Sequence, residues 1–289
     1  MATPIPVELD RCTPAVVGGL LQGACPLPQG WERGISFQDT ACLLPTVMGE
    51  CPTCSDLKPT QRASTETFHP VSLITAFACS TFGGIDVQQV AVETLDETAD
   101  YALAREMLTG QAALRDASPD HEGNPSLQTH ATDLGTAFTS PVAALGCLEQ
   151  TLADATGGRN GYLLIGPEIA LALSELSLLI REGGRLITIT GTRVIVTGGF
   201  DGRAPIDSPE DESPADPCEP WNSTGAPELG DELYMYATAS VWAGVGPGVM
   251  RSDVNRANNT AAAREERGAL TAFTTCATFA AGSGVAKAC

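Results

Sequence analysis

The strongest periodic signal in the chain lies between Ile85 and Leu108. There Ala91, Val92, Leu95, Ala99, Ala102 and Leu103 share one face of a helical wheel, while Glu93, Asp96, Glu97 and Asp100 fall largely on the other. Asp86, with Gln89 three residues later, makes a capping box at its start, and Gly110 stops it. The spacing predicts a long amphipathic helix over 85–108, lying on a sheet or on another subunit. A second helix is predicted from Ser140 as N-cap and Pro141 at the first helical position to about Ala155, closed by Gly157-Gly158, with Val142, Leu145, Leu148 and Leu152 as its apolar stripe. The apolar run Tyr162 to Ile165 reads as a strand leading into a third helix that starts at Pro167 and ends before Gly183-Gly184.

Period-two patterns occupy much of the rest. Arg185 to Thr190 and Arg193 to Thr197 flank Gly191-Thr192, a two-residue Gly-first turn that predicts a hairpin. Short β-prone pieces between Ile35 and Phe82 alternate with turn chemistry, including the corner Cys51-Pro52-Thr53-Cys54, and predict an extended two-stranded excursion. Strand character returns at Leu233 to Val241. A polar crossing is expected around Asn255 to Arg267 and a closing strand from Leu270 to Ala280. Residues 1–34 are rich in Pro, Gly and Cys and carry no period long enough to fold alone, so they read as an arm ordered by packing on something else, such as a neighbouring subunit. Residues 201–230 hold six prolines and eight acidic residues and no apolar period, the composition of a long exposed loop. Helices and strands in this order, without an internal repeat, give an α+β class.

Composition narrows the function. The 289 residues, 43% hydrophobic and 18% charged, are enough for one sizeable core or two small ones. The net charge is −19, and Lys58 and Lys287 are the only lysines. Such a surface repels phosphate, which argues against a direct nucleic-acid reader; it suits a container wall that must not stick to packaged DNA, or equally serves only to maintain solubility. Met1-Ala-Thr-Pro-Ile-Pro has neither a basic nor an apolar signal region, so synthesis in a cytoplasm is expected. The most apolar stretch, Gly161 to Ile180, is interrupted by Pro167, Glu168 and Glu175, which speaks against a membrane span. In a reducing cytoplasm the ten cysteines are expected as free thiols, with disulfides formed later in an oxidising setting as the alternative.

Catalytic patterns are sparse. Neither a Gly-x-Ser-x-Gly elbow nor a phosphate-binding Gly-x-x-x-x-Gly-Lys loop occurs, and the three histidines, His69, His121 and His130, offer little for a triad. No catalytic residue, no cofactor and no enzymatic activity are expected. Cys51-x-x-Cys54 has the spacing of half a zinc site that Cys42 or His69 could complete, against a disulfide or unlinked loop thiols as the other readings. The acidic run Asp207, Glu210, Asp211, Glu212 and Asp216 lacks the alternation and glycine of a calcium loop.

Several segments resemble a known family in order and pattern: Gly184 to Gly202, Glu232-Leu-Tyr-Met-Tyr-Ala-Thr-Ala-Ser-Val241, Asn255 and Asn258 near Ala263-Arg-Glu-Glu-Arg267, the strand around Cys276, and Cys79-Ser-Thr-Phe-Gly-Gly before the long helix. Together they cover about two thirds of the chain and resemble the major capsid proteins of tailed bacteriophages, with the Hong Kong 97-type capsid fold. The resemblance implies an N-terminal arm (1–34), an extended β-loop (35–68), a peripheral domain (69–134) with a spine helix (85–108), an axial domain (135–239) including the acidic loop 201–230, and a return to the peripheral domain (240–289). It implies self-assembly into hexamers and pentamers of an icosahedral head shell around double-stranded DNA, without sequence-specific DNA binding. The partners would be copies of the chain, a separately encoded scaffolding protein or none, a portal and decoration proteins. Some members join a lysine of the extended loop to an asparagine of a neighbour; Lys58 and Asn258 stand in the corresponding regions. Other readings are a minor head or tail protein, an encapsulin-type compartment shell, or an uncharacterised enzyme.

Overall fold

A computed structural model describes residues 4–6, 19–42, 64–80, 86–110, 112, 123–135, 138, 140–159, 161–202, 204–205, 232–255 and 257–284. Three sheets organise them. In the first, β1 (Ile5–Pro6) pairs parallel to β2 (Ile35–Asp39), which pairs antiparallel with β3 (Ser64–Phe68). The second joins β4 (Val71–Ser80) to a long hairpin of β11 (Val241–Asn255) and β12 (Thr260–Phe273), in the order β11-β12-β4. The third has seven strands in the order β5-β13-β10-β6-β9-β8-β7. Its strands are β5 (Thr132–Asp133), β6 (Tyr162–Ile165), β7 (Leu179–Glu182), β8 (Arg185–Thr188), β9 (Arg193–Val196), β10 (Glu232–Thr238) and β13 (Thr278–Gly284).

The expected long helix is α2, Val87–Thr109. Asp86 caps it by accepting hydrogen bonds from the backbone N–H groups of Gln88 and Gln89, and Gly110 closes it in the left-handed conformation at φ 66°. The Gln89 side-chain amide donates from Nε2 to Glu93 Oε1 at 2.6 Å, one turn along the helix. Ala91, Leu95, Ala99 and Leu103 are buried, as their spacing requires. The first half of α2 sits on the long hairpin through Val87, Ala91 and Ala263. Its last turns, with Leu103, Ala104, Met107 and Leu108, enter the main core.

That core exists because the seven-stranded sheet is apolar on both faces. Tyr162, Leu164, Ile195, Tyr234, Tyr236 and Ala280 point to the side of α2. Leu163, Ile165, Val194, Met235, Ala237 and Phe279 point to the other side, against α4 (Pro141–Thr156) and α5 (Pro167–Glu175). All four residues of β6 are therefore buried, the pattern of a strand covered on both faces. A short helix, α1 (Leu20–Gly23), and another, α3 (Leu127–His130), close the first side. No helix among the described residues is long and apolar enough to cross a membrane.

Four local expectations are corrected. The third helix ends at Glu175 rather than near Gly183: Ser177 adopts φ 56°, and the β-branched Ile180 and its neighbours continue as β7. The tight hairpin turn is Gly183-Gly184, both at positive φ, joining β7 to β8, whereas Gly191-Thr192 belongs to a wider connection with a single β8–β9 antiparallel pair, Ile187 with Arg193. Val142 is 46% exposed, and Ala144 takes the buried place in α4 that its spacing assigned to Val142. The stretch 255–267 is no crossing: apart from Arg256, which lies outside the described residues, it is the turn and first half of β12, paired from Asn255 with Thr260 onward. The described part of the arm packs on its own chain, with Leu20, Ala24, Cys25 and Trp31 buried in the main core. Residues 240–289 divide between two sheets, since β11 and β12 pair beside β4 while β13 pairs with β10.

Candidate functional site

Register places Val249, Glu266 and Ile74 side by side on one rung of the β11-β12-β4 sheet. Alternation puts this rung on the face opposite α2, together with Ala76, Ala78, Ala262 and Arg264, all exposed. Ile74 and Val249 are each about half exposed, at 51% and 55%. The face thus carries apolar side chains around the exposed Arg264–Glu266 pair, 3.2 Å apart, and nothing among the described residues covers it. The opposite face is closed by α2, where Arg267 bonds Glu265 at 3.0 Å and also Asp96. Burial opposes the charge on Arg267, but those two carboxylates outweigh it and hold its pKa above the usual value. A second group of exposed apolar side chains, Leu171, Leu176, Ile180 and Ile189, lies on α5 and the β7–β8 region.

Asn258 stands at the exposed tip of the β11–β12 hairpin, its backbone N–H donating to Asn255 Oδ1 at 3.3 Å. Cys51, Cys54, Lys58 and residues 206–230 of the acidic loop lie outside the described residues. Cys42, one of the two candidates to complete a zinc site, is instead bonded to Cys276, with Cα atoms 6.1 Å apart. Cys25 is disulfide-bonded as well. The expectation of free thiols is corrected for these three, and Cys79 and Cys147 are free. Tertiary proximity decides this, and pairing across 234 residues leaves no trace in local sequence. His69 is tied down by backbone, its N–H donating to Asn124 Oδ1 at 2.6 Å and its carbonyl accepting from Asn124 Nδ2 at 2.8 Å. Among the described residues no group of three or more His, Cys, Asp or Glu could hold a metal ion.

Sequence reasoning also missed Asp39, which ends β2 beside that disulfide. The residue is 4% exposed, and its two carboxylate oxygens accept from the backbone N–H groups of Ala41 and Cys276, each at 3.2 Å. Burial pushes its carboxyl above the ordinary range; the N–H groups of Cys276, Ala41 and Thr275 counteract this in part and nearby Glu66 adds to it. A carboxyl raised in the folded state contributes stability that is full below its unfolded pKa, about 3.9, and is lost as pH rises through the folded value. The melting temperature of the wild type relative to Asp39→Asn should therefore fall as pH is raised from about 4 through the folded pKa. Paired thermal melts check this, and a pH-independent difference contradicts it.

No protein-family model matches the sequence, and no curated protein does. Solved structures do match over nearly the whole chain. A structure of Mycobacterium phage Ogopogo superposes with a TM-score of 0.58 at 16% identity, covering 97% of this chain and 96% of that one. The capsid of an empty GTA particle gives 0.53 at 12% identity, covering 99% and 94%. This chain has the fold of a tailed-phage major capsid protein. A structure of Mycobacterium phage Adephagia gives the same TM-score, 0.53, at 11% identity, covering 97% and 96%. At such identities the capsid fold is held by the pattern of burial, since few individual residues are shared. The α+β architecture expected from the sequence is the one found.

Proposed function

We propose that the chain is the repeating subunit of an icosahedral phage head shell, assembled as hexamers and pentamers around double-stranded DNA. The single observation that supports this reading best is the likeness to the GTA capsid over 99% of the chain, with both chains nearly fully covered. In this reading residues 1–34 are the arm, 35–68 the extended loop, 69–134 and 240–289 the peripheral domain with α2 as spine, and 135–239 the axial domain. The net charge of −19 favours a wall that releases its DNA cargo readily. The protein acts by multivalent packing rather than by catalysis. It is made in a bacterial cytoplasm and resides in the virion, with a separate scaffolding protein, a portal and decoration proteins as partners. Lys58 and Asn258 are the residues an inter-subunit cross-link would use, which denaturing electrophoresis of particles would reveal as a ladder above the monomer.

The bare face of the β11-β12-β4 sheet is where a neighbouring copy would pack. Its apolar side chains are exposed in the single chain, so replacing them costs the fold little and the interface much. The double variant Ile74→Glu, Val249→Glu should keep the monomer's stability within about 1 kcal/mol, yet place two extra carboxylates beside Glu266 and abolish large assemblies. Size-exclusion chromatography with thermal melts checks both halves. Particles of unchanged yield would contradict this placement of the interface.

A further inference from the structure

We propose that the Cys42–Cys276 bond is a redox lock closed after the chain has folded, and that Asp39 is the positioning residue that brings its two thiols into register. The two cysteines are 234 residues apart, yet their Cα atoms are 6.1 Å apart, within the reach of a disulfide. Contacts that need no sulfur–sulfur bond hold both sides. On one side β2 pairs with β3 through Asp39 opposite Ser64, Ala41 donates its N–H to Asp39, and the Ala41 carbonyl accepts from Arg159 Nη1 at 3.4 Å. On the other, the Cys276 N–H donates to the same Asp39 carboxylate. The turn that carries Cys276 is fixed by Thr274 N–H donating to the Ser240 carbonyl at 3.1 Å and by Thr238 Oγ1 donating to the Thr274 carbonyl at 2.9 Å. One buried carboxylate thus bridges the residue next to Cys42 and the backbone of Cys276 itself.

Access and chemistry complete the picture. Cys276 is exposed and Cys42 half-buried, so a small-molecule disulfide such as oxidised glutathione reaches Cys276 first. The Cys276 thiolate attacks one glutathione sulfur, forming a mixed disulfide and expelling a glutathione thiolate. The Cys42 thiolate then attacks the Cys276 sulfur and expels the second glutathione thiolate. The protein gives up two electrons and the glutathione disulfide takes them, each released thiolate collecting one proton. The bond ties residue 42, at the root of the 43–63 segment, to the 274–277 turn that joins β12 of one sheet to β13 of another. Closing it restrains that root without altering the pairing of either sheet. Its timing, after assembly and on leaving a reducing compartment, rests on the shell reading; its chemistry does not.

The test uses the full chain, reduced with a phosphine, freed of reductant, and given oxidised glutathione, with closure followed by thiol alkylation and peptide mass spectrometry. The folded chain should close Cys42–Cys276 at least about tenfold faster than the same chain in guanidinium, because preorganised thiols have a high effective concentration. Asp39→Ala should close about tenfold more slowly and with mispaired products, and Asp39→Asn, which keeps one acceptor, should fall between. Equal rates in folded and unfolded chain would overturn the lock, and wild-type rates in both Asp39 variants would overturn the role of Asp39. If Asp39→Ala fails to fold by circular dichroism, the Asn variant and the wild-type comparison decide. No particle is needed for this readout, so its failure leaves the shell reading standing, and a failure to assemble leaves the lock standing.

Discussion

Phe68→Ala is expected to destabilise the chain by about 3–5 kcal/mol, the cost of removing a fully buried aromatic ring and leaving its cavity. Phe68 is 1% exposed at the end of β3. Its ring stacks on Phe37 of β2 with centroids 5.9 Å apart and meets Phe273 of β12 edge-on at 5.6 Å. Phe37 in turn contacts Trp242 of β11 at 5.6 Å. These four rings seat the first sheet on the base of the long hairpin, so the cavity would open between two sheets, where neither can collapse without leaving its own ladder. At roughly 2 °C per kcal/mol for a chain of this size, the melting temperature should drop by about 6–10 °C. Denaturant unfolding measures the loss directly, and a cost below about 1 kcal/mol would contradict the packing described.

The second large effect is expected from Cys276→Ser. A bridge across 234 residues restricts the unfolded chain strongly, and its removal should cost on the order of 2–5 kcal/mol. The diagnostic is the comparison with reductant: oxidised wild type should exceed the oxidised variant by that amount, while wild type and variant, both reduced so that the Cys25 bond is open in each, should agree to within about 1 kcal/mol. A serine variant as stable as the oxidised wild type would mean that the bond adds nothing to the fold.

The two helix starts and stops that were legible in the sequence were those with explicit caps. Asp86 and Gly110 bound α2, and Ser140, whose hydroxyl accepts from the Ala143 N–H at 3.3 Å, opens α4 ahead of Gly157. The continuous apolar run of β6 was equally plain, since a strand buried on both faces has no alternation to disguise. The first half of β12 was not legible for the opposite reason. Arg264 and Glu266 lie on the bare face while Arg267 pairs with both Glu265 and Asp96 under α2, so both faces read as polar. Two glycine-containing turns competed for one hairpin, and only tertiary pairing chose Gly183-Gly184 over Gly191-Thr192. Leu20, Ala24, Cys25 and Trp31 reach the core from a one-turn helix and the short turns after it, too short to leave a period in the sequence. The junction at Asp39 was invisible because its partner atoms come from opposite ends of the chain.

Assembly of the chain into a closed shell would be visible in negative-stain electron microscopy of the purified protein, expressed alone and with its neighbouring genes. Closed polyhedral particles, or hexameric and pentameric rings, are the expected result. A stable monomer or dimer under both conditions would contradict it.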